Sequence, residues 1–242
     1  MNIILNGAKG RMGRIVDAAA AAGGHSVVAR VDFGYAEGEG LRTLDAYQGP
    51  ADVVIDFSNH AATAQVVDYC TKRGLPVIIA TTGQTKEELA LIDAAAKAVP
   101  VFLSANMSLG VALLADMAKK AAAVFPEADI EIIERHHNQK LDVPSGTALL
   151  LARRIREARP EAEFVVGRHE NGKRTKNEIG IHSLRLGNEV GVHEIIIATG
   201  SETITLKHEA ENRSLFAQGA LAAAAFVVGK APGMYDMRSI LE

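Results

Sequence analysis

The first hundred residues alternate between short apolar runs and alanine-rich stretches in which apolar positions recur with the period of a helix. The apolar runs predict strands at residues 3–5, 26–31, 52–56, 76–80 and 101–103. The stretches between them predict helices at residues 11–22, 61–72 and 86–98. Continuous apolar strands that alternate with helices are typical of a parallel sheet covered on both faces. We therefore predict an N-terminal α/β domain with a doubly wound parallel sheet.

The pattern changes after residue 107. A long amphipathic helix is predicted at residues 108–124, then an alternating strand at 130–134, a polar turn at 136–144 and a helix at 146–158. Strands at residues 181–186, 194–198 and 202–207 follow with only local turns between them. Successive strands of this kind indicate a mixed or antiparallel sheet, hence a second, α+β domain. We assign residues 108–216 to this domain. Residues 217–242, which continue a helix predicted at 215–228, are expected to return to the first domain of residues 1–107.

Composition and charge narrow the class of protein. The 242 residues are 48% hydrophobic and 23% charged with a net charge of −3, which fits a globular chain with no long-range attraction for nucleic acid or an anionic membrane. The single cysteine, Cys70, lies in an apolar helical pattern, as expected for a reducing compartment. The N-terminus lacks a signal-peptide pattern, and the longest weakly polar run, residues 216–229, is too short to span a membrane. We expect a soluble, cytoplasmic protein.

A glycine-rich turn joins the first predicted strand to the first predicted helix. Its sequence, Gly7-Ala8-Lys9-Gly10-Arg11-Met12-Gly13, has the spacing G-x-x-G-x-x-G rather than the standard G-x-G-x-x-G, so the motif is weak by itself. Its position strengthens it, because strand, tight turn and helix N-terminus follow one another as in Rossmann-type dinucleotide sites. Glycine lets the backbone approach a pyrophosphate, and the helix N-terminus offers N–H groups and a positive dipole end. We predict a dinucleotide site in this domain.

Three further positions extend this predicted site. Asp32, at the end of the second strand, is placed to accept a hydrogen bond from a ribose hydroxyl, and the alternative is an exposed aspartate in an ordinary turn. Ala80-Thr81-Thr82-Gly83 and Ser104-Ala105-Asn106-Met107 follow the fourth and fifth strands, where ligands of open α/β sheets collect. Their small and amide side chains suit a nicotinamide ring, although two N-cap turns would explain the Thr and Ser equally well.

The most informative segment is residues 134–148. It ends in Ser145-Gly146-Thr147 at a predicted helix start, where hydroxyl and backbone N–H groups make an anion nest beside Lys140. This combination favours a carboxylate ligand. His136 and His137 can supply a proton donor and a charge clamp. A metal site is disfavoured, because neighbouring side chains of an extended segment point apart and no Cys or carboxylate cluster completes a ligand set. A surface turn is the remaining alternative.

Together these motifs resemble the 4-hydroxy-tetrahydrodipicolinate reductase (dihydrodipicolinate reductase) family of the bacterial lysine and diaminopimelate pathway. The resemblance runs over nearly the whole chain. The pattern H-H-x-x-K-x-D-x-P-S-G-T-A, which occupies residues 136–148 here, is specific to the family, whereas the glycine loop is not. The other matching pieces are residues 7–13, Thr81-Thr82-Gly83, Ser104-Ala105-Asn106, Gly191-x-His193-Glu194 and Arg213-x-x-Phe216-Ala217-x-Gly219-Ala220.

The resemblance implies hydride transfer from NADH or NADPH to a cyclic, imine-type dicarboxylate. It implies that His136 is the proton donor, with Lys140 as its partner and as a cation for a substrate carboxylate. It also implies a homotetramer assembled through the sheet of the second domain. The implied substrate-binding residues are His137, Ser145, Gly146 and Thr147. The implied cofactor contacts are Gly7, Lys9, Gly10, Arg11, Met12, Gly13, Asp32, Ala80, Thr81, Thr82, Ser104, Ala105, Asn106 and Met107.

Cofactor preference depends on the charges around Asp32. Its carboxylate should repel a 2′-phosphate, and Phe33 follows it where a basic residue would accept one. Lys9, Arg11 and Arg30 lie close enough in sequence to offset part of that repulsion, Arg30 because it should point to the same side of the strand as Asp32. We expect both cofactors to be used, with a preference for NADH of about tenfold, or about 1.4 kcal/mol.

Two residues depart from the family pattern: Val192 stands where Glu is frequent, and Met107 where Phe is common. Neither removes a group that the chemistry needs. A rival enzyme function is a two-domain nicotinamide dehydrogenase acting on an amino acid or its imine, which the segment at residues 136–148 disfavours. A rival outside enzymes, a dinucleotide-sensing regulator, would need a basic DNA-reading module, and this near-neutral chain shows none.

Overall fold

A computed structural model describes all residues from 1 to 242. The chain divides into two compact units, one formed by Met1–Ser108 and Arg213–Glu242 and the other by Leu109–Asn212. The predicted start of the returning segment, residue 217, falls inside a helix at Ser214–Val227 that belongs as a whole to the first unit. No helix is both long enough and apolar enough to cross a membrane.

The first unit contains a six-stranded parallel sheet. Its strands are β1 (Asn2–Asn6), β2 (Ser26–Val31), β3 (Val53–Asp56), β4 (Val77–Ile79), β5 (Pro100–Leu103) and β11 (Gly233–Tyr235), in the order β11-β5-β4-β3-β1-β2. The chain passes from β1 to β2 on one side of β1 and then crosses to β3 on the other side. The carboxyl ends of β1 and β3 therefore form the topological switch point, where ligands of such sheets bind. The predicted sheet had five strands, and three residues of the tail add a sixth at the edge.

Four helices cover this sheet: α1 (Arg11–Ala22), α2 (Thr63–Arg73), α3 (Lys86–Ala95) and α6 (Ser214–Val227). The apolar residues of α2 and α3 form one core with side chains of β1, β3, β4 and β5, while α1 packs against α6. All four residues of β3 and all three of β4 are buried, which explains why residues 53–55 and 77–79 are continuously apolar rather than alternating. Helix α3 begins at a capping box formed by Thr85 and Glu88.

The second unit is a five-stranded mixed sheet with two helices. Its strands are β6 (Asp129–His136), β7 (Glu163–Val166), β8 (Glu178–Arg185), β9 (Gly191–Ala198) and β10 (Thr203–Ala210), in the order β10-β9-β6-β8-β7. Strands β10, β9 and β6 pair antiparallel, whereas β6, β8 and β7 pair parallel. Helices α4 (Leu109–Val124) and α5 (Gly146–Arg156) pack on one face, against isoleucines of β6, β8 and β9.

Most predicted elements are present, with two differences that matter for the site. Strand β6 extends to His136, which the sequence placed in the following turn; the residue belongs to the strand because its backbone pairs with β8 at Arg185. Strand β7 was not predicted, because four residues at a sheet edge give too short an alternation to recognise. Helix α1 and strand β2 have the predicted bounds.

Candidate active site

The glycine turn between β1 and α1 packs closely on its own sheet and leaves the first turn of α1 open to a ligand. Gly7 has φ +80°, and a Cβ on it would lie 2.6 Å from the carbonyl carbon of Phe57 at the end of β3, so no other residue fits there. The N–H groups of Gly7 and Ala8 are anchored on the carbonyl of Val31 at 2.8 and 3.1 Å. Gly10 precedes the helix and supplies no side-chain cap, so the N–H groups of the first turn stay available to an anion.

Asp32 lies directly beside this turn. Its Oδ2 accepts a hydrogen bond from the N–H of Lys9 at 3.0 Å, and its Oδ1 accepts one from the N–H of Gly34 at 2.9 Å. Each oxygen keeps a second lone pair, so the half-exposed carboxylate can still accept bonds from a ribose. A cleft of about 190 Å³ opens here, and its lining includes Asp32, Phe33, Arg42, Thr43, Gly10 and Ser58.

Of the three cations that the sequence placed near Asp32, two have carboxylate partners. The Nζ of Lys9 donates to the carbonyl of Gly34 at 2.9 Å and pairs with Glu39 at 3.1 Å. Arg30 forms a two-point ion pair with Asp17 of α1, at 2.9 and 2.7 Å, so its guanidinium is held on the helix. The expectation that Arg30 offsets the charge of Asp32 is therefore wrong. Arg42, which the sequence analysis missed, lines the cleft instead.

A buried carboxylate connects the strand ends at the switch point. Asp56, 1% exposed at the end of β3, accepts hydrogen bonds from Asn6 Nδ2 at 2.8 Å, Ser58 Oγ at 2.5 Å and Thr81 Oγ1 at 2.7 Å. Burial raises the pKa of Asp56, and these hydrogen bonds oppose the rise. No role was predicted for this residue, although a polar residue that closes the apolar run at residues 53–55 is a usable signal. The network fixes Thr81 through its hydroxyl.

The other predicted cofactor positions lie at the ends of β4 and β5. Ala80 donates its N–H to the carbonyl of Asp56 at 3.0 Å, and Thr82 is exposed. Ser104 Oγ donates to the carbonyl of Asn106 at 2.7 Å, and Asn106 Oδ1 accepts from the N–H of Ser108 at 2.8 Å, in a turn that leads into α4. In the same turn Ala105 is exposed and Met107 is buried, at 2% exposure. At the start of α1, Arg11 is exposed and Met12 is half-buried. The side chains of Ser104 and Asn106 thus also shape the turn.

The second cluster forms where the core face of β6 changes from apolar to polar. Ile130, Ile132, Glu134 and His136 point to the same face and are all buried, the glutamate being 0% exposed. His136 Nδ1 lies 2.5 Å from Glu134 Oε2. Arg185, paired with β6 from β8, donates Nη1 to Oε2 at 2.9 Å and Nη2 to Oε1 at 2.8 Å.

The residue that precedes helix α5 also contacts the carboxylate of Glu134. The N–H of Ser145 donates to Glu134 Oε1 at 3.1 Å, and Ser145 Oγ caps the helix by accepting the N–H of Ala148 at 3.1 Å. Burial alone would raise the pKa of Glu134, but hydrogen bonds from His136, Arg185 and Ser145 together hold it well below its ordinary value. Glu134 is therefore ionised inside the domain and joins two strands and a helix.

His193 of β9 completes the cluster and was given no role in the sequence analysis. It is 4% exposed, its Nε2 lies 3.1 Å from Ser145 Oγ, and its ring packs edge-on against that of His136 with centroids 5.1 Å apart. Burial, with a smaller contribution from the neighbouring His136, lowers the pKa of His193 to about 3. Gly191 lies opposite His136, and a Cβ there would be 2.9 Å from His136 Nε2, so the glycine makes room for the imidazole.

A carboxylate of the chain itself lies where the sequence predicted an anion nest. Lys140 Nζ pairs with Asp142 Oδ1 at 2.8 Å, and the lysine side chain is 21% exposed. Burial would raise the pKa of Asp142, but Lys140 and the N–H of Gly146 hold it below its ordinary value. Gly146 is exposed, and Thr147 and His137 are half-buried; His137 is anchored by its N–H on the carbonyl of Glu189 at 2.8 Å.

The structure thus places the predicted residues in two groups. The glycine loop, Asp32 and the ends of β4 and β5 lie at the switch point of the first unit, whereas His136, Lys140 and the start of α5 lie at one end of the mixed sheet. Glu134, Arg185 and His193 were missed as members of the second group. Alternation along β6 could have indicated Glu134, because it puts this residue on the face of Ile130 and Ile132. No group of three or more His, Cys, Asp or Glu side chains is arranged to hold a metal ion.

The doubly wound sheet with its open glycine turn, followed by a separate domain with a histidine cluster, is that of an NAD(P)H-dependent oxidoreductase acting on a small molecule. The family model described as dihydrodipicolinate reductase, N-terminus, matches residues 1–107, and the model for its C-terminus matches residues 110–241. The chain belongs to the dihydrodipicolinate reductase family.

Individual relatives agree with this assignment. The 4-hydroxy-tetrahydrodipicolinate reductase of Clostridium tetani (strain Massachusetts / E88) is 45% identical over 100% of this chain and 97% of its own length. That of Caldanaerobacter subterraneus subsp. tengcongensis is 44% identical over 100% and 98%. The dipicolinate-bound dihydrodipicolinate reductase from Paenisporosarcina sp. TG-14 matches with a TM-score of 0.78 at 25% identity, over 98% of this chain and 97% of that one. The predicted family and the predicted fold class are confirmed.

Proposed function

We propose that this chain is a 4-hydroxy-tetrahydrodipicolinate reductase, which reduces the cyclic dicarboxylate precursor to tetrahydrodipicolinate in lysine and diaminopimelate biosynthesis. The observation that carries the proposal is the polar cluster of the second unit, in which His136 is held by ionised Glu134 close in sequence to the Lys140 anion nest. A proton donor and a carboxylate site are the two features that reduction of such a substrate requires from the protein.

The residues of the first unit fit a dinucleotide. The uncapped start of α1 suits a pyrophosphate, because it presents N–H groups with no side chain in the way. Gly7 contributes by the tight turn, which lets the chain pass close to the end of β3 before the helix begins. Asp32 would hold the ribose, and Ala80, Thr82 and the turn at residues 104–107 would contact the nicotinamide side. When bound, the cofactor supplies the hydride. Thr81 contributes through its hydrogen bond to Asp56, which sets the end of β4.

The second unit would bind the dicarboxylate at the nest now filled by Asp142. Lys140 would pair with one substrate carboxylate, while the backbone N–H groups at Gly146 and Thr147 would bind it from the helix start. The Asp142 side chain is 57% exposed, so it can turn out into water when a substrate carboxylate takes its place beside Lys140. Ser145 would act by starting helix α5 at this place, and His137 would line the site.

Reduction adds a hydride and a proton, and His136 is placed to give the proton. Its Nδ1 faces a carboxylate that is acceptor-only when ionised, so Nδ1 carries a hydrogen and Nε2 is the nitrogen that can exchange one. The absence of a side chain at Gly191 leaves room around Nε2. Lys140 would assist by its positive charge, which favours electron density building up on the substrate.

Both cofactors are proposed to serve, with the preference for NADH kept at about tenfold, or about 1.4 kcal/mol. Asp32 supports this preference, because an ionised carboxylate beside the ribose repels a 2′-phosphate. Arg42, at the lining of the same cleft and exposed, supports residual use of NADPH, since a guanidinium can pair with a phosphate.

Purified protein tests the function directly. The product of the upstream aldolase is added to the protein, and oxidation of NADH or NADPH is followed by absorbance. We expect oxidation that depends on both the aldolase product and this protein. An amino-acid dehydrogenase, the rival enzyme function, would instead reduce NAD⁺ when given an amino acid and would ignore the aldolase product.

A homotetramer is also proposed, through the face of the mixed sheet opposite α4 and α5. This face carries Ile133, Ile196 and Leu184 among the charged residues, and Leu184 is 42% exposed. Apolar side chains in the middle of an open sheet are typical of a surface covered by another copy. Light scattering should give four chains per particle, and Ile196→Arg should give smaller particles.

The cytoplasm is the proposed location. Cys70 is a free, fully buried thiol, and burial raises its pKa, so it neither reacts nor forms a crosslink and tolerates a reducing compartment. Cell fractionation with an antibody against the chain would check this.

A further inference from the structure

We infer that Glu134 is a positioning residue for the proton transfer: it fixes the tautomer of His136, so that Nδ1 keeps its hydrogen and Nε2 carries the transferable one. This inference rests on the proposed function of His136. Glu134 makes no contact with a substrate in this scheme and acts only through the imidazole.

The hydrogen-bond partners of Glu134 require its carboxylate to be ionised. Oε1 accepts from Arg185 Nη2 at 2.8 Å and from the N–H of Ser145 at 3.1 Å; Oε2 accepts from Arg185 Nη1 at 2.9 Å and faces His136 Nδ1 at 2.5 Å. Arg185 and the backbone N–H can only donate, so the carboxylate is ionised and acts only as an acceptor. The fourth partner, Nδ1, must then bring a hydrogen.

The geometry also limits how the ring can turn. The backbone of Ser145 and the β8 arginine hold the carboxylate in place, and the carboxylate holds the ring. Rotating the ring by 180° would exchange Nδ1 with Cδ2, which brings a carbon to Glu134, and would move Nε2 to the position of Cε1. That exchange breaks a charge-assisted bond at a residue that is 0% exposed, which makes one orientation dominant.

The chemical step follows from this arrangement. The protonated imidazole, stabilised by the anion on its Nδ1 side, gives the Nε2 proton to the substrate atom that receives the electron pair delivered with the hydride. The N–H bond at Nε2 breaks, and the ring returns to neutral imidazole with Nδ1–H intact. The charged or titratable groups at His136 are Glu134 on its own strand, Arg185 on β8, which acts through Glu134, and His193 on β9. Lys140 in the following loop and His208 on β10 act on His193.

The rival interpretation is that the Glu134–Arg185 pair only ties β6 to β8. Glu134→Gln separates the two, because the amide has nearly the same size and its oxygen still accepts from Arg185 Nη2 and the N–H of Ser145. Its NH2 group, however, faces His136 Nδ1 and Arg185 Nη1, and the charge is gone. We expect kcat to fall by about 10²-fold with KM changed by less than about threefold. We also expect the basic limb of the kcat–pH profile to move to lower pH, because protonated imidazole loses its counter-charge.

The chain offers a matched control on the same strand. Glu131 lies on the opposite face of β6 and also holds an arginine, Arg174, and a histidine, His182, whose Nε2 is 2.8 Å from Glu131 Oε2. Glu131→Gln therefore removes an equivalent ion pair without touching His136, and it should keep the wild-type pH profile. Glu134→Asp, which keeps the charge on a shorter side chain, should restore the position of the basic limb with only part of kcat.

A direct measurement on the wild type does not depend on any Glu134 variant folding. In protein with ¹⁵N-labelled histidine, the signals of His136 are identified by their loss in His136→Gln. We expect Nδ1 to stay protonated across the pH range of activity while Nε2 titrates. A neutral His136 with a bare Nδ1, or a Glu134→Gln variant with the wild-type profile and kcat, would overturn the inference. A wild type inactive on the aldolase product would instead overturn the proposed function and leave the tautomer result standing.

Discussion

His193 Nε2 lies 3.1 Å from Ser145 Oγ, and this contact joins strand β9 to the first residue before helix α5. The same hydroxyl accepts the N–H of Ala148, so its one hydrogen or its second lone pair serves the histidine. No partner reaches His193 Nδ1, which is buried. His193 is consequently neutral and packs behind the start of α5. Among the groups there, it is the one that we expect to be protonated first as the pH falls.

Mild acid should destabilise the second unit through His193. Burial lowers its folded-state pKa from 6.5 to about 3, so the unfolded chain binds a proton at pH values where the folded chain does not. The stabilisation is present above pH 6.5 and is lost as pH falls towards 3, at about 1.4 kcal/mol per pH unit between those limits. Urea unfolding at pH 7, 6 and 5 measures the slope; His193→Asn should flatten it.

The window between about pH 6.5 and 5 is the informative one, because most carboxylates titrate below it. His169→Asn is the matched control, since the His169 side chain is 81% exposed and should leave the slope unchanged. An identical slope in wild type and His193→Asn would show that His193 is already charged in the folded protein or exposed to solvent.

Replacing the proton donor should abolish most turnover and spare cofactor binding. In His136→Ala we expect kcat to fall by about 10²–10⁴-fold, the usual loss for a positioned acid, with the affinity for NADH unchanged. Steady-state kinetics and fluorescence titration with NADH measure the two quantities. His169→Ala, whose wild-type side chain is 81% exposed, should keep kcat. Near-normal turnover in His136→Ala would remove this residue from the mechanism.

The anion nest should respond in opposite directions to loss of its cation and loss of its internal carboxylate. Lys140→Ala should raise KM for the dicarboxylate and slow turnover, because the substrate carboxylate loses its counter-charge. Asp142→Asn removes the group that competes for Lys140 and Gly146, so pyridine-2,6-dicarboxylate should bind several-fold more tightly.

Calorimetric titration with pyridine-2,6-dicarboxylate tests both variants, and in wild type the same ligand should raise the melting temperature by mass action. A wild type whose activity and melting temperature ignore this ligand would contradict the dicarboxylate site. Weaker binding in Asp142→Asn would mean that the aspartate orients Lys140 rather than competing for it.

Cofactor preference should depend on Asp32 and Arg42 in opposite senses. Asp32→Ser should raise kcat/KM for NADPH relative to NADH, because the repulsion of the 2′-phosphate is gone. Arg42→Ala should lower the affinity for 2′,5′-ADP more than that for ADP, which lacks the phosphate in question. Arg153→Ala, an exposed arginine of α5, is the control. An unchanged cofactor ratio in Asp32→Ser would show that this carboxylate does not contact the ribose.

The sequence by itself determined the parallel sheet of the first unit, the bounds of α1 and β2, and the glycine turn, because periodicity and turn chemistry are properties of neighbouring residues. It also placed His136, Lys140 and the helix start in one segment. Only the tertiary structure decided what surrounds them. Glu134 meets Arg185 across 51 positions, and Ser145 meets His193 across 48.

Such contacts depend on the order and register of strands, which a linear pattern does not encode. The role of Asp56 was not predicted for the same reason, because its partners Asn6 and Thr81 come from β1 and from the end of β4. Arg30 is a similar case. Strand alternation predicted that Arg30 and Asp32 lie on the same side of β2, but the arginine forms an ion pair with Asp17 of α1. That ion pair depends on the packing of α1 against β2, which the sequence pattern does not show.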